Sequence, residues 1–277
     1  MSNIEDGTYI PIIFAHRGSG ENYLECVLRQ AKNLNPIVCL LGDEQNKKFD
    51  QIVAHDYIKN YSNISNEFAK IYIPLSTLGD YELFCFQRWF VLYEYMKAQK
   101  FDRCLYLDSD MMFYSDAYQE VTNKFDYFNI MLVHKCVGSS CYITYEGLKD
   151  FCKFLYETFA NPKSWDFVKI ASHWECHKMF GRTGGVCDMT FFEYYGRYKD
   201  PAGVGELMHV TKEDDSTYDH CINQNDRYYE MENGIKKIQF NNGFPYCKHL
   251  KLNKMIKFNT LHFQGGCKGL IPQFLMV

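Results

Sequence analysis

The chain has 277 residues, of which 47% are apolar and 23% charged, and its formal charge is −4. This composition excludes collagen-like, coiled-coil and intrinsically disordered chains, and the lack of a basic surplus argues against a nucleic-acid partner. No uncharged apolar stretch reaches the ~20 residues that cross a bilayer, and the start MSNIEDGTYI has no signal-peptide pattern. We therefore expect a cytoplasmic protein without a transmembrane segment, whose 12 cysteines are reduced.

The first half of the chain alternates apolar runs with stretches of helical periodicity. These patterns predict strands at 9–15, 36–41, 71–73 and 103–107, and helices at 21–32 and 81–99. Alternation of this kind is typical of an α/β fold with a mixed central sheet flanked by helices.

The second half begins with predicted strands at 126–133 and 141–144 around a turn at 137–140. The pattern then predicts helices at 146–159, 163–180 and 188–198, a loop at 200–216, and a smaller β-meander from 228–231, 235–240 and 245–250. Asp116 is assigned to a helix cap. Since no linker rich in Pro, Gly or Ser interrupts the chain, we expect a single domain over residues 1–277.

Two carboxylates, Asp108 and Asp110, directly follow the predicted strand 103–107. In extended chain, positions i and i+2 project to the same side, so the two residues can share one cation. Ligands of open α/β sheets bind beyond the carboxyl ends of the strands, where this pair would lie. The alternative for so short a motif is an acidic turn whose side chains accept backbone amides.

A histidine and a lysine stand near the other end of the chain, where His262 precedes Gly265, Gly266 and Lys268. Glycines let the backbone approach a ligand closely. Two carboxylates, an imidazole and an ammonium suit a Mn²⁺ or Mg²⁺ diphosphate complex better than a structural zinc. The alternative is a core histidine beside an ordinary glycine turn. A zinc site drawn from His173, Cys176, His177 and Cys187 has irregular spacing, which argues against it.

These two segments resemble a known family. LYLDSDMMF at 105–113 is similar to the D-x-D segment of GT-A glycosyltransferases, and HFQGGCK at 262–268 matches the H-F-x-G-x-x-K signature of the glycogenin and bacterial lipopolysaccharide galactosyltransferase group. Gly269 and Leu270 replace the Pro-Trp that usually follows. The resemblance implies a Rossmann-like GT-A fold, with a nucleotide-binding half at 1–110 and an acceptor-binding half at 111–277. The aromatic meander also resembles compact viral and bacterial GT-A enzymes.

The resemblance also implies roles for individual residues. Asp108, Asp110 and His262 would bind the manganese, and Gly265 and Lys268 would hold the donor diphosphate. Other expected donor contacts are Ala15, His16, Arg17, Asp43, Arg88, Ser109 and Ser140. Asp188 resembles the acidic residue that faces acceptor and sugar, and it is the candidate catalytic residue.

Each of the less specific assignments has a structural alternative. His16 and Arg17 could belong to a solvated loop, and Asp188 could cap a helix. Arg88 lies among aromatic residues of a predicted core helix, so it needs an anion, which could be a ligand or a salt-bridge partner. Some of the abundant tyrosines could stack against sugar rings, namely Tyr194, Tyr195, Tyr228 and Tyr229.

The function expected from these residues is transfer of a sugar from a nucleotide diphosphate donor, a UDP-sugar, to an acceptor hydroxyl on a glycan or glycoprotein. If Asp188 acts as a base, configuration inverts; otherwise it is retained, which the H-F-x-G-x-x-K resemblance favours. Two other classes stay open: a metal-dependent nucleotidyltransferase or pyrophosphohydrolase, and a non-catalytic sugar-binding module. The sequence leaves the oligomeric state open.

Overall fold

The computed structural model describes residues 9–19, 22–125, 127–226 and 228–276. The strands in these ranges are β1 (Ile12–Ala15), β2 (Val38–Gly42), β3 (Ala54–Tyr57), β4 (Arg103–Leu107), β5 (Met111–Phe113), β6 (Ile130–Val133), β7 (Val137–Thr144), β8 (Val204–Glu206), β9 (Ser216–Thr217), β10 (Met231–Glu232), β11 (Ile235–Lys236), β12 (Gln239–Asn241), β13 (Phe244–His249), β14 (Lys254–Phe258) and β15 (Thr260–His262). The α-helices are α1 (Asn22–Leu34), α2 (Asn63–Ile71), α3 (Gly79–Gln99), α4 (Ala117–Lys124), α5 (Tyr145–Ala160), α6 (Trp165–Met179) and α7 (Asp188–Tyr198). Short 3-10 segments lie at Lys47–Gln51, Ile58–Tyr61 and Gly265–Phe274.

A seven-stranded mixed sheet in the order β3-β2-β1-β4-β7-β6-β8 forms the centre of the fold. β1 to β4 are parallel, β7 runs antiparallel to both β4 and β6, and β8 is parallel to β6. The carboxyl ends of the parallel strands and the start of β7 therefore meet at one edge. The predicted α/β fold with a mixed central sheet is confirmed.

The strands carry apolar side chains on both faces, as expected for a sheet covered on both sides. Ile12 and Phe14 of β1 belong to one buried cluster, and Ile13 and Ala15 belong to another. The first cluster includes α1 and the C-terminal strands, and the second includes α3, α5 and α7. Residues before and after position 110 contribute to each cluster, so the two parts of the chain share both cores.

Smaller β-structures complete the C-terminal part. β13 pairs antiparallel with β12 on one side and with β14 on the other, and β9 pairs parallel with β14. The predicted meander is thus present, but its members are shifted toward the C-terminus. The segment 228–231 contributes Met231 to the short ribbon β10–β11 and forms an isolated bridge from Tyr229 to His249 of β13. β5 and β15 pair antiparallel, with His262 opposite Met111.

Two predicted elements are wrong. The apolar run 71–73 is not a strand: α2 continues to Ile71, and the ring of Tyr72 packs against Phe68 and Phe86. Pro74 cannot supply a ladder N–H, which disfavours a strand that ends at this point. The edge position of the sheet belongs instead to β3.

The predicted turn at 137–140 lies inside β7, and the chain reverses earlier, where His134 and Lys135 have φ angles of 53° and 59°. Gly138 serves close packing: a Cβ at this position would lie 2.6 Å from Cζ2 of Trp89.

The predicted loop 200–216 also contains β8. The cap assignment of Asp116 is confirmed, because its side chain accepts from the backbone N–H groups of Tyr118 and Gln119.

Candidate active site

The carboxyl edge of the central sheet collects the polar residues that follow its strands. His16 follows β1, Asp43 follows β2, and the segment from Asp108 to Asp110 follows β4. The backbone N–H of Asp108 donates to the carbonyl of Ser139 in β7 (2.8 Å), so the antiparallel strand fixes the start of this segment. The structure thus places the two carboxylates at the edge where open α/β sheets bind their ligands.

His262 and Lys268 join these carboxylates from the far end of the chain. His262 Nε2 lies 3.5 Å from Asp110 Oδ1, and Lys268 Nζ lies 3.2 Å from Asp110 Oδ2. The pairing of β5 with β15 brings this about, and the N–H of Phe263 donates to the carbonyl of Asp110 (3.0 Å). Side chains predicted from two distant segments therefore meet at a single position.

The orientation of His262 follows from its other contacts. Its Nδ1 lies 2.5 Å from the backbone carbonyl of His220, which can only accept, so Nδ1 carries the proton. Its backbone N–H donates to Asp219 Oδ2 (2.9 Å). Nε2 is therefore turned toward Asp110, and a proton or a cation must lie between the two to avoid repulsion of their lone pairs. Histidine ligands of metals are commonly held in this way.

The acidic pair has an uneven electrostatic environment. Burial raises the pKa of Asp108, although Arg88 opposes this effect. Burial alone would also raise the pKa of Asp110, but His262 and Lys268 outweigh this effect and lower the pKa of this carboxyl. In turn, burial opposes the charged form of His262, yet Asp110 and Asp108 raise its pKa above the ordinary value. The site thus stabilises negative charge on Asp110 and attracts positive charge beside it.

Arg88 links the first carboxylate to α7. Its Nη1 donates to Asp108 Oδ1 (2.6 Å) and its Nη2 to Asp188 Oδ2 (2.7 Å), while the Trp89 indole N–H donates to the same Asp188 oxygen (2.9 Å). The side chain of Asp188 is only 3% exposed. The anions that the buried arginine requires are therefore two protein carboxylates. Cys187, and not Asp188, is the N-cap of α7.

A cavity of about 410 Å³ lies at the ends of β2 and β3, lined in part by Arg17, Asp43 and Tyr57. The Arg17 guanidinium lies 4.1 Å from the centre of the Phe84 ring. Asp43 Oδ2 accepts from the N–H of Gly18 (2.7 Å), so the loop after β1 and the loop after β2 are joined. This cavity has the size of a small-ligand site, and its lining includes the charged side chains of Arg17 and Asp43.

The remaining predicted donor contacts lie at the end of β1, in the segment after β4, in β7 and at the start of the last 3-10 segment. His16 Nδ1 lies 2.9 Å from Ser109 Oγ, and Ala15 is buried at the end of β1. Ser140 is fully buried opposite Leu107, and its Oγ has no hydrogen-bond partner among the described residues. Gly265, with a φ angle of 61°, begins the last 3-10 segment, and a Cβ added there would meet open space.

The sequence reading missed a charged network behind His262. Lys236 is fully buried, and its ammonium donates to Asp219 Oδ1 (2.8 Å), Asp226 Oδ2 (2.7 Å) and the carbonyl of Cys221 (2.6 Å). No local pattern marks it, because the lysine and its partners lie on different segments. The tyrosines proposed to stack on sugars need correction: Tyr194, Tyr195 and Tyr229 are core residues, and only Tyr228 of the four is exposed.

No family model and no curated protein sequence matches the chain. Among solved structures, mouse xyloside xylosyltransferase 1 is 11% identical, with a TM-score of 0.48 over 72% of this chain and 85% of that one. A glycosyltransferase involved in the glycosylation of the major capsid of PBCV-1 is 9% identical, with a TM-score of 0.44 over 96% and 98%. The galactosyltransferase LgtC, in complex with donor and acceptor sugar analogs, is 15% identical, with a TM-score of 0.36 over 76% of each chain.

These solved structures are glycosyltransferases, the class that the sequence resembles. Within the described ranges, none of the helices has the length and apolar character needed to cross a membrane.

Proposed function

We propose that this protein is a metal-dependent glycosyltransferase that moves a sugar from a nucleotide diphosphate donor, a UDP-sugar, to an acceptor hydroxyl on a glycan or glycoprotein. The observation that carries the proposal is the meeting of Asp110, His262 and Lys268 at the carboxyl edge of the sheet. Asp108 lies two residues before Asp110, close enough for Asp110 and His262 to influence its pKa. This set contains hard oxygen ligands, one oriented imidazole and one ammonium, which together suit a divalent cation bound to a diphosphate.

The residues present fit Mn²⁺ or Mg²⁺. Asp108 and Asp110 offer carboxylate oxygens, and His262 offers Nε2 because Nδ1 is bound to a backbone carbonyl. When bound, the metal would neutralise the charge that develops on the diphosphate leaving group. Lys268 adds a positive charge beside Asp110, and Gly265 lets the backbone approach the phosphates.

In this proposal residues 1–110 bind the nucleotide and residues 111–277 bind the acceptor. The cavity beside Arg17 and Asp43 would take the base and ribose, with Ala15 supplying backbone at the end of β1. His16 precedes Arg17 of this cavity and contacts Ser109, which stands between the two aspartates in the chain, so the pair would face the ribose and the diphosphate. Ser140 would contribute from beneath the sugar, where its hydroxyl lacks a partner among the described residues.

The contacts of Asp188 support retention of configuration. A base that activates the acceptor must reach its hydroxyl, but Asp188 is buried and both of its oxygens already accept hydrogen bonds. In the retaining route the departing phosphate takes the acceptor proton on the same face. Asp188 then acts through Arg88, by holding the guanidinium against Asp108.

A nucleotide-release assay with Mn²⁺ and a panel of UDP, GDP and dTDP sugars tests the proposal, with and without candidate acceptors. We expect acceptor-stimulated release from a UDP-sugar and loss of release on chelation. Asp110→Asn should lower the rate by about a hundredfold or more, because a metal contact contributes several kcal/mol to the transition state. The matched control is Asp102→Asn, an exposed carboxylate just before the start of β4.

Other outcomes would contradict the proposal. Nucleotide release that is unchanged by chelation or by Asp110→Asn would contradict a metal site at these residues. Release of nucleoside monophosphate in place of diphosphate would indicate a nucleotidyltransferase or pyrophosphohydrolase. Glycan binding without donor binding would indicate a non-catalytic sugar-binding module.

A further inference from the structure

Two histidines and an aspartate form a second cluster of potential metal ligands outside the donor site. His134 follows β6, and His220 and Asp226 lie in the segment between β9 and β10. Each offers one ligand atom, and these atoms all lie within 4.8 Å of one another. The cluster therefore joins the end of a central strand to a C-terminal loop segment through side chains that metals commonly bind.

The geometry within the cluster is close to that of a zinc site. His220 Nδ1 lies 3.3 Å from Asp226 Oδ1. Two ligand atoms bound to one tetrahedral zinc ion, each at about 2.0–2.2 Å from the metal, are separated by about 3.3–3.5 Å. The ring centres of His134 and His220 are 4.8 Å apart and the rings are nearly perpendicular, at 79°. A ligand nitrogen of His134 lies within 4.8 Å of the ligand atoms of His220 and Asp226.

Charged side chains lie beside two of the three ligands. Asp226 Oδ2 accepts from the buried ammonium of Lys236 (2.7 Å), which leaves Oδ1 directed toward His220. On the other side, the Glu206 carboxylate lies 3.9 Å from His134 Nδ1. Carboxylates behind histidine ligands and charge partners behind carboxylate ligands are common outer contacts of zinc sites.

We propose that His134, His220 and Asp226 bind a zinc ion at a site separate from Asp108, Asp110 and His262. Two imidazoles and one carboxylate favour Zn²⁺ over Mg²⁺ or Ca²⁺. The backbone carbonyl of His220 holds Nδ1 of His262, so the ion fixes the segment that orients the donor-site histidine. The inference does not depend on the proposed transfer activity.

Zinc binding to the full-length protein tests this inference. The Cys176→Ser protein is the reference, since Cys176 is the exposed thiol among the described cysteines. After chelator treatment and dialysis, Zn²⁺ affinity is measured by competition with a chromophoric chelator, and Co²⁺ is added to record the visible absorption of a four-coordinate site. We expect one tightly bound ion in the reference and in Asp110→Asn, and binding weaker by about a hundredfold in His134→Ala.

Two controls make the result decisive. His173→Ala removes an exposed histidine of α6 and should leave the affinity unchanged. Zn²⁺ should raise the melting temperature of the reference and of His173→Ala but not of His134→Ala. A cooperative melting transition of His134→Ala shows in the same measurement that this variant is folded. The proposal is wrong if the reference binds no Zn²⁺, if His134→Ala binds it as tightly as the reference, or if Asp110→Asn loses it.

Discussion

Nδ1 of His262 donates to the backbone carbonyl of His220, and this bond determines which nitrogen faces Asp110. Replacement of His262 by Asn or by Gln distinguishes the role of its Nδ1 from the role of its Nε2. Asn can reproduce the donor at Nδ1 but has no ligand atom at Nε2, whereas Gln places its amide near Nε2. We expect His262→Gln to retain more Mn²⁺ affinity than His262→Asn, measured by Mn²⁺ paramagnetic resonance. Equal affinity of the two variants would contradict a role for Nε2 as the ligand.

Removal of Arg88 should destabilise the fold. Its guanidinium joins Asp108 and Asp188, and Arg88→Met would leave both carboxylates without their cation. Loss of one partner of a buried ion pair costs about 3–5 kcal/mol in the free energy of unfolding, which urea denaturation can measure. The control is Arg197→Met, which breaks an exposed pair with Glu193 and should cost less than about 1 kcal/mol. Similar losses in the two variants would be inconsistent with a buried bridge.

Glu82 provides a pH-dependent prediction. Burial, with a further contribution from Asp188, raises its pKa to about 7 from an ordinary value of 4.5. The extra stability of its protonated form is complete below pH 4.5 and is lost as the pH rises to about 7. The rise of the pKa from 4.5 to about 7 corresponds to about 3–4 kcal/mol. Glu82→Gln keeps this position neutral, so its melting temperature should rise relative to that of the native chain by roughly 7–14 °C across this interval.

The measurement for Glu82 is a series of thermal unfolding curves from acid to neutral pH. The exposed Glu213→Gln serves as the matched control and should follow the native chain at every pH. A constant difference between Glu82→Gln and the native chain over the series would show that the carboxyl does not titrate in this interval.

Lys268 should contribute to nucleotide affinity. Its ammonium lies beside Asp110 and is partly exposed, so it can reach a bound diphosphate. Loss of a hydrogen bond to a charged group costs about 1.5–3 kcal/mol, so Lys268→Ala should weaken binding of UDP in the presence of Mn²⁺ by about ten- to a hundredfold. Titration calorimetry measures this change. Lys251→Ala, at an exposed position, should bind UDP like the native chain, and an unchanged affinity in Lys268→Ala would exclude the phosphate contact.

The main elements, and the position of Asp108 and Asp110 at the end of a strand, could be predicted because each depends on local sequence. Buried parallel strands read as continuous apolar runs, and Asp108 and Asp110 directly follow such a run. The position of His262 beside Asp110 came from the family resemblance, since no local pattern links residues so far apart in the chain.

The partners of Arg88 show what sequence reasoning missed. An arginine on a buried helix required an anion, but Asp108 is 20 and Asp188 is 100 residues away, and only the packing of α3 between β4 and α7 identifies them. β3 was missed for a different reason. Its sequence AHDY lacks an apolar alternation because it forms an exposed edge of the sheet.

The ladder between β5 and β15 is only three residues long, and it has a consequence for the geometry of the donor site. Successive side chains of a strand point to opposite faces, so a slip of one residue would turn His262 away from Asp110. The same slip would move Leu261 out of the core, where it is completely buried opposite Met112. The burial of Leu261 therefore fixes the register that keeps the imidazole of His262 beside Asp110, although Leu261 takes no part in the chemistry.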